Sequence, residues 1–294
     1  MTDTLSQFLD AIRATGLQPP DSIVPGKLHR FPGIGKRKGN TAGWCKLFDD
    51  CRGGCFGDWA ADISEIWQAK RNQPLSYAER RKYKTRADEA RVQAEAERQQ
   101  RRAKAAELAV SIWDSAQPAM FHEYLRRKQV LPLGIRVDRH NNLLIPLADG
   151  TNIQSLQFIQ PDGTKRFLAG GRTKGMFYRL KPQTEPGKLL ICEGFATGAT
   201  LYMETKLPVI VAFSANNMVP VAKAIRRQYP QAEILICGDN DHATLGNPGK
   251  RSAIEAARAC QGCWTIPGFK ELSPTPKQTD FNDLHLIRQE VSCE

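Results

Sequence analysis

The chain has 294 residues, of which 41% are hydrophobic, so it can build globular cores in two or three domains. Its 42 lysines and arginines exceed its 31 acidic residues, and the net charge of +11 indicates a polyanionic partner. No apolar run approaches the roughly 20 residues of a membrane span, and the N-terminus lacks a signal-peptide pattern. With eight cysteines that we interpret as free thiols, these features argue against membrane and secreted classes and favour a soluble cytoplasmic protein.

The N-terminal region combines an amphipathic helix with a basic, aromatic module. Apolar residues at helical spacing between Leu5 and Ile12 predict a helix over residues 2–15. Residues 27–67 are rich in turns and cations with aromatic residues between them, a composition that suits single-stranded nucleic acid. The candidate contacts are Lys36, Arg37, Lys38, Trp44 and Trp59. The alternative is a small β-module whose tryptophans only fill its core.

A long polar helix is predicted next. Residues 76–107 contain no glycine or proline and almost no large apolar residue, and they are rich in strong helix formers. A helix that is polar on all sides predicts a basic spacer between domains. Contact between its cations and nucleic-acid phosphates is the open alternative to a merely solvated face.

A small α+β region is predicted over residues 111–186. The pattern indicates a helix over Ala119–Lys128 and strands at Leu143–Leu147 and Ile153–Ile159. A third strand begins at Lys165, and a glycine-rich segment follows in which the backbone can approach a ligand closely. The cations that this region offers to an anionic ligand are Lys165, Arg166, Arg172 and Lys174. A hairpin tip that only turns the chain is the alternative, and no P-loop occurs in the sequence.

Two apolar runs in the C-terminal region end abruptly in acidic residues. Residues 188–192 lead into Glu193, and residues 234–237 lead into Asp239 and Asp241. Such runs are typical of buried parallel strands, and open α/β sheets bind ligands beyond the carboxyl ends of these strands. An extended backbone would point Asp239 and Asp241 to the same side. Three carboxylates at one sheet edge predict a site for Mg²⁺ or Mn²⁺, which prefer oxygen ligands.

The intervening segments alternate between helix and strand, which predicts a parallel sheet. The expected elements are helices over residues 196–206, 219–229 and 249–260, strands over 208–214 and 263–266, and a last helix. Ser214 and Asn216 follow a strand of this series at the same sheet edge, so they are candidates for substrate contact. Taken singly, Glu-Gly is more often a turn and Asp-Asn-Asp a solvated loop or helix cap.

Glu-Gly after one strand, Asp-x-Asp after a later one and the further acidic motif Asp280–Asp283 resemble the Toprim domains of bacterial primases. The words Ile191–Thr197, Ala212–Asn216 and Asp280–His285 are similar to the branch found in phages and conjugative plasmids. The resemblance extends upstream through Gln157–Leu168. With the N-terminal module, it covers most of the chain apart from the middle helix.

For the fold, the resemblance implies an α/β protein whose catalytic part is a Rossmann-like Toprim domain over residues 187–294. A basic α+β subdomain over residues 111–186 would precede it. A basic helical linker over residues 69–110 and a zinc-ribbon-like β-module over residues 1–68 would come first.

The N-terminal module resembles the template-binding domain of bacterial primases, which is a zinc ribbon in the replicative enzymes. Zinc ribbons usually show two short-spaced ligand pairs. Here Cys45, Cys51 and Cys55 have the spacing Cys-x5-Cys-x3-Cys, with His29 far upstream. We therefore expect little or no bound zinc.

For activity, the resemblance implies a DNA primase, a nucleotidyltransferase that joins ribonucleoside triphosphates into short RNA primers on single-stranded DNA. Glu193, Asp239 and Asp241 would hold two Mg²⁺ or Mn²⁺ ions, and Asp280 and Asp283 would complete the site or orient water. The four upstream cations would neutralise the triphosphate. The expected partner in the bacterial cytoplasm is a replicative helicase or a single-strand-binding protein. The alternatives are a Toprim nuclease and a non-catalytic protein that binds single-stranded DNA.

Overall fold

The computed structural model describes residues 2–69, 76–181, 185–269, 272 and 274–292. The chain divides into two compact units, residues 1–100 and residues 101–294. Among the described residues, no helix combines the length and the apolar character that crossing a membrane requires. The predicted domain boundaries at residues 68, 110 and 186 stay predictions.

The first unit is built on a four-stranded antiparallel sheet with strands in chain order. Its first elements are the helix α1 (Thr2–Ala14) and the strands β1 (His29–Phe31), β2 (Gly43–Leu47), β3 (Gly53–Asp58) and β4 (Ile63–Gln68). The apolar face of α1 covers one face of this sheet, where Phe8 packs against the rings of Phe56 and Trp67. The predicted N-terminal helix therefore forms, and its spacing reflects plain packing.

The other face of this sheet is covered by the start of a 39-residue helix, α2 (Tyr77–Ser115). Tyr83, Ala87, Ala90 and Ala94 are buried in one cluster with Trp44, Phe48 and Cys55. Their spacing of three and four residues makes a narrow apolar stripe on an otherwise polar helix. The interpretation of this segment as polar on all sides was wrong here, because alanine contributes little hydrophobicity but packs closely.

The second unit contains two five-stranded sheets, and the first of them is antiparallel throughout. Its elements are β5 (Gln117–Pro118), the helix α3 (Glu123–Lys128), β6 (Arg136–Val137), β7 (Leu143–Ala148), β8 (Ile153–Ile159) and β9 (Lys165–Phe167). The helix begins four residues later than predicted, because His122 is its N-cap. The Nδ1 atom of His122 accepts a hydrogen bond of 3.1 Å from the backbone N–H of Tyr124.

The second sheet of this unit confirms the predicted mixed α/β fold with a parallel sheet. The strands lie in the order β10-β12-β11-β13-β14, and only β10 is antiparallel to its neighbour. The elements are β10 (Tyr178–Leu180), β11 (Lys188–Cys192), α4 (Phe195–Thr205), β12 (Val209–Val211), α5 (Ala215–Gln228), β13 (Glu233–Cys237), α6 (Pro248–Cys260), β14 (Cys263–Thr265) and α7 (Phe281–Ser292).

Both faces of this parallel sheet are buried, as the unbroken apolar runs predicted. Along β11, Leu190 and Cys192 belong to the core cluster that contains α4, whereas Leu189 and Ile191 belong to the cluster that contains α5 and α6. In the register of the sheet, Cys192 lies beside Cys237, the last residue of β13. The residues that follow these two strands therefore start from the same edge of the sheet.

Candidate active site

Glu193 and Asp239 follow β11 and β13 at this shared edge, and their charges interact. Burial raises the pKa of Glu193, and the carboxylates of Asp241 and Asp280 raise it further, while Lys165 acts in the opposite direction. Burial also raises the pKa of Asp239 to about 8, with the carboxylate of Glu193 as the next cause. The side-chain oxygen Oδ1 of Asp239 is buried and has no hydrogen-bond partner among the described residues. Asp239 is half-buried, and one of its carboxylate oxygens is removed from solvent without a hydrogen bond to compensate for it.

The Asp239–Asp241 loop is fixed by the start of α6. The oxygen Oδ2 of Asp241 accepts a hydrogen bond of 2.8 Å from the backbone N–H of Gly249, in the first turn of that helix. A Cβ atom at Gly249 would lie 2.5 Å from the backbone oxygen of Asp239, so only glycine permits this approach. The side chain of Asn247 accepts from the backbone N–H of Asp241 at 3.0 Å. The sequence interpretation did not single out Asn247 or Gly249.

Asp280 and Asp283 form a reciprocal cap at the start of α7. Asp280 Oδ1 accepts from the backbone N–H of Asp283 at 2.9 Å, and Asp283 Oδ2 accepts from the backbone N–H groups of Thr279 and Asp280. The other oxygen of Asp283 accepts from Lys128 Nζ at 3.0 Å. Both oxygens of Asp283 are thus engaged in holding the fold. The charge of Asp280 contributes to the raised pKa of both Glu193 and Asp239, whereas the charge of Asp283 acts on the pKa of Asp239 and not on that of Glu193.

The four predicted phosphate-binding cations do not share one face. Along β9, Lys165 and Arg166 point to opposite sides of the sheet. Lys165 lies 6.0 Å from the ring centroid of Tyr124 and interacts with Glu193, whereas Arg166 lies 4.9 Å from the ring centroid of Phe158. Arg172 is exposed and interacts electrostatically with Asp149. Lys174 is also exposed. We call the interacting carboxylates Glu193, Asp239, Asp241 and Asp280 the acidic cluster, and among the four cations it is Lys165 whose charge acts on this cluster, at Glu193.

The residues after β12 differ in their roles. Ser214 is the N-cap residue of α5, although its side chain makes no capping hydrogen bond, and Asn216 is exposed. The buried residue here is Asn217, which the sequence interpretation passed over. Its Nδ2 donates to the backbone oxygens of Ala212 and Met176, and its Oδ1 accepts from the backbone N–H of Gly175. Asn217 therefore ties the glycine-rich segment to the end of β12.

The aromatic residues of the first unit divide between core and surface. Trp44 is only 2% exposed, so the prediction that it stacks on a nucleic-acid base was wrong for this residue. It packs instead against Trp59, whose ring carries the guanidinium of Arg30 at 3.6 Å from its centroid. Trp59 is half-buried. The cations Lys36, Arg37 and Lys38 are exposed in a loop that follows β1.

The cysteines of the first unit are not gathered around one point. Cys45 is paired across the sheet with Phe56 and lies in the cluster beneath α1, whereas Cys55 lies in the cluster beneath α2. The two thiols therefore point to opposite faces of the sheet. Burial raises the pKa of Cys45 to about 12 and that of Cys55 to about 11, which favours neutral thiols. Cys51 is half-buried, and His29 Nε2 contacts the backbone of Val24. The expectation of little or no zinc stays a prediction.

The acidic edge of the parallel sheet carries the carboxylate oxygens that a Mg²⁺ or Mn²⁺ ion prefers, but these side chains are not drawn together around one point. Within the described part of the chain, no three or more His, Cys, Asp or Glu side chains are close enough to form a ready metal site. The buried, unpartnered oxygen of Asp239 nevertheless fits a cation ligand, as does the mutual rise in carboxylate pKa. A bound divalent ion would give this oxygen a partner and would offset the repulsion among the carboxylates.

Comparison with known proteins agrees with this topology. Residues 188–290 match the family model described as "Toprim domain". Two proteins of Escherichia coli named DNA primase TraC are 31% and 29% identical to the chain over 95% and 90% of its length. The chain spans only 28% and 19% of those relatives.

Among solved structures, the primase fragment of the bacteriophage T7 primase-helicase protein aligns with 90% of this chain and 97% of its own. The identity is 13% and the TM-score is 0.45, too low to establish a shared fold. The identification therefore depends on the domain match and the sequence relatives. Residues 188–290 form a Toprim domain, in a chain that resembles Toprim-type DNA primases over nearly its whole length.

Proposed function

We propose that this chain is the catalytic part of a DNA primase, which joins ribonucleoside triphosphates into short RNA primers on single-stranded DNA. The observation that carries the proposal is that Glu193, Asp239 and Asp241 follow two paired parallel strands at one edge of the sheet, where their charges and that of Lys165 interact. Primer synthesis needs a cation site and a grip on a triphosphate in one place. The names of the Escherichia coli relatives are consistent with this activity.

Glu193, Asp239 and Asp241 would hold the Mg²⁺ or Mn²⁺, and Asp280 would add charge to the same site. When bound, two such ions would activate the attacking 3′-hydroxyl group and stabilise the departing pyrophosphate. The protein orients these carboxylates through the hydrogen bond from Gly249 to Asp241 and the cap at the start of α7. We assign Asp283 a structural role in this arrangement because both its oxygens are engaged.

Lys165 is the cation best placed to bind a triphosphate oxygen, since its charge acts on Glu193. Arg172 and Lys174 lie in the glycine-rich segment that Asn217 ties to the end of β12, so they would contact phosphates farther from the reacting atoms. Arg166 points to the other face of its sheet, and its proposed role is contact with the template backbone. Ser214 and Asn216, at the start of α5, would contact substrate from the sheet edge.

The template would be single-stranded DNA, held in part by the exposed cations of the first unit. Lys36, Arg37 and Lys38 offer three charges in one exposed loop, and the half-buried ring of Trp59 lies in the same unit. A net charge of +11 agrees with such a polyanionic ligand. We further propose a replicative helicase or a single-strand-binding protein as partner, and a bacterial cytoplasmic setting.

The test is incubation of the protein with single-stranded DNA, labelled ribonucleoside triphosphates and Mg²⁺ or Mn²⁺. Labelled products a few nucleotides long, absent for Asp239→Ala and Asp241→Ala but present for the control Glu233→Ala, would support the proposal. Glu233 is an exposed acidic residue at the opposite end of β13, so it matches the charge change at a distance. Degradation of the DNA without synthesis would indicate a Toprim nuclease instead, and binding alone would indicate a non-catalytic protein.

A further inference from the structure

A pair of aromatic rings lies beside the acidic cluster and has no part in the function proposed above. The rings of Phe167 and Phe213 meet edge to face, with their centroids 6.2 Å apart and their planes at 77°. Phe213 is 8% exposed, but Phe167 is 40% exposed. Phe213 is thus the buried ring of the pair, and Phe167 packs against it with part of its ring exposed to solvent.

The backbone at Phe213 shows that this ring is held in place at a cost. Its φ angle is +70°, in the left-handed region that residues other than glycine rarely adopt. Its backbone N–H donates a hydrogen bond of 2.8 Å to the backbone oxygen of Glu193. Strained backbone of this kind persists where the surrounding structure imposes it, often at a ligand site. The ring pair is therefore fastened directly to a residue of the acidic cluster.

Phe167 also shares a strand face with a cation. Phe167 and Lys165 are two residues apart on β9, so their side chains point to the same side of the sheet. Lys165 is the cation that interacts with Glu193. An exposed ring beside a cation provides the two contacts by which proteins hold single nucleotides and single strands, stacking on the base and charge on the phosphate.

From these contacts we propose that Phe167 is a nucleobase-stacking residue, positioned by Phe213 next to the acidic cluster. The ligand class is a nucleobase, which an incoming nucleoside triphosphate or the single-stranded template can each supply. The inference rests on the proposed action on nucleotides and adds a base-binding contact to it. Such a site predicts that affinity depends on the presence of a base and not only on the number of phosphates.

Equilibrium binding in the presence of Mg²⁺ tests this without any requirement for catalysis. One arm compares oligothymidylate with an abasic oligonucleotide of equal length, and the other compares ATP with inorganic triphosphate. Phe167→Ala should weaken binding of at least one base-containing ligand about tenfold, whereas the affinities for the abasic strand and for triphosphate should not change. If Phe167→Ala loses affinity for ATP alone, the base that stacks on Phe167 belongs to the incoming nucleotide. If it loses affinity for oligothymidylate alone, the base belongs to the template.

Two further variants serve as controls for folding and for the loss of an exposed aromatic ring. Phe167→Trp keeps an aromatic face and should retain binding, which separates the loss of stacking from a failure to fold. Phe121→Ala removes another exposed phenylalanine of the same unit, which is 69% exposed, and should leave all four affinities unchanged. Equal losses for ligands with and without a base, or unchanged binding of both base-containing ligands, would overturn the proposal.

These outcomes are separable from those for primer synthesis. A protein that makes no primers but loses base-dependent binding in Phe167→Ala would refute the proposed polymerase activity and keep the stacking site. Normal primer synthesis by a Phe167→Ala variant with unchanged binding would refute the stacking site and keep the proposed polymerase activity.

Discussion

Lys128 Nζ donates a hydrogen bond of 3.0 Å to Asp283 Oδ1 and so fastens the end of α3 to the start of α7. The residue before Asp283 reinforces the contact, because Asn282 Nδ2 donates to the backbone oxygen of Lys128 at 2.7 Å. Asn282 is fully buried and also donates to Thr200 Oγ1 on α4. A motif that resembles part of a metal site in the sequence therefore joins three helices in the structure.

We expect Asp283→Ala to lower the free energy of unfolding by about 2 kcal/mol, since it removes a helix cap and leaves Lys128 without its partner. Asp283→Asn keeps an oxygen that can accept the capping hydrogen bonds and should cost less. Thermal denaturation of both variants checks the order. Primer synthesis should persist in Asp283→Asn at a temperature where it is folded. Complete loss of synthesis in a stable Asp283→Asn would restore Asp283 to the catalytic set.

Asp239 gives a prediction about stability and pH. Its pKa in the folded protein is about 8, above the ordinary value of 3.8, so the folded state binds this proton more tightly than the unfolded state does. The stabilising contribution of the protonated form is therefore complete below about pH 4 and is lost as the pH rises towards 8. Without divalent cations, the Tm of the wild type should fall across this range relative to that of Asp239→Asn.

Added Mg²⁺ should reverse this difference at pH 8, because an ion that binds only the folded state stabilises it. The measurement is Tm against pH for both proteins, with and without Mg²⁺. Parallel Tm curves for wild type and Asp239→Asn under all conditions would mean that the charge of Asp239 is not destabilised by burial and by its neighbours and that Asp239 is not a cation ligand.

The strands and their acidic ends could be predicted because they depend on local pattern. The apolar runs that precede Glu193 and Asp239 became β11 and β13, since a strand buried on both faces needs apolar residues throughout. The sequence interpretation treated Asp280 and Asp283 as part of the acidic site. The reciprocal cap that they form at the start of α7 was not predicted, because metal sites and caps use the same residue types.

The surroundings of several other side chains depend on contacts between segments that are distant in sequence. The opposite facing of Lys165 and Arg166 follows from the alternation of side chains along a strand, so the predicted strand at Lys165 already implied it. Nothing local, however, indicates that Trp44 lies beneath α2, because only the folded chain brings that helix against the sheet. Asn217 could not be recognised for a similar reason. Its three partners are backbone groups of two separate segments, which only the folded chain brings together.

The separation of Cys45 and Cys55 on opposite sheet faces leads to a prediction about metal content. Protein purified without chelators should contain well under one zinc ion per chain by elemental analysis. A zinc site would require both thiols as thiolates on one side. The double variant Cys45→Ser, Cys55→Ser should therefore leave the metal content unchanged, although it costs stability in the core. A stoichiometric zinc ion that this variant loses would refute the geometry of the first unit.

The exposed loop with Lys36, Arg37 and Lys38 provides the last prediction, on template binding. Its first turn is held by Asp58, which is fully buried and accepts a hydrogen bond of 2.7 Å from the backbone N–H of Ile34. Lys36 closes the turn that contains Ile34, and Arg37 and Lys38 lie in the turn that follows it. Replacing all three with alanine should weaken binding to single-stranded DNA, because each phosphate contact releases counterions from the strand. Each lost contact should lower the slope of log affinity against log salt by about 0.7.

Fluorescence anisotropy of a labelled oligonucleotide across a salt series measures both the affinity and the slope. The matched control replaces three exposed cations on the outer helices of the parallel sheet, Lys223, Arg227 and Arg258. Since both triple variants lose the same net charge, a general electrostatic effect would shift them equally. A larger loss of slope for the loop variant would place phosphate contacts at the first unit. Equal slopes for the two variants would show that this loop does not hold the template and that its cations serve another ligand.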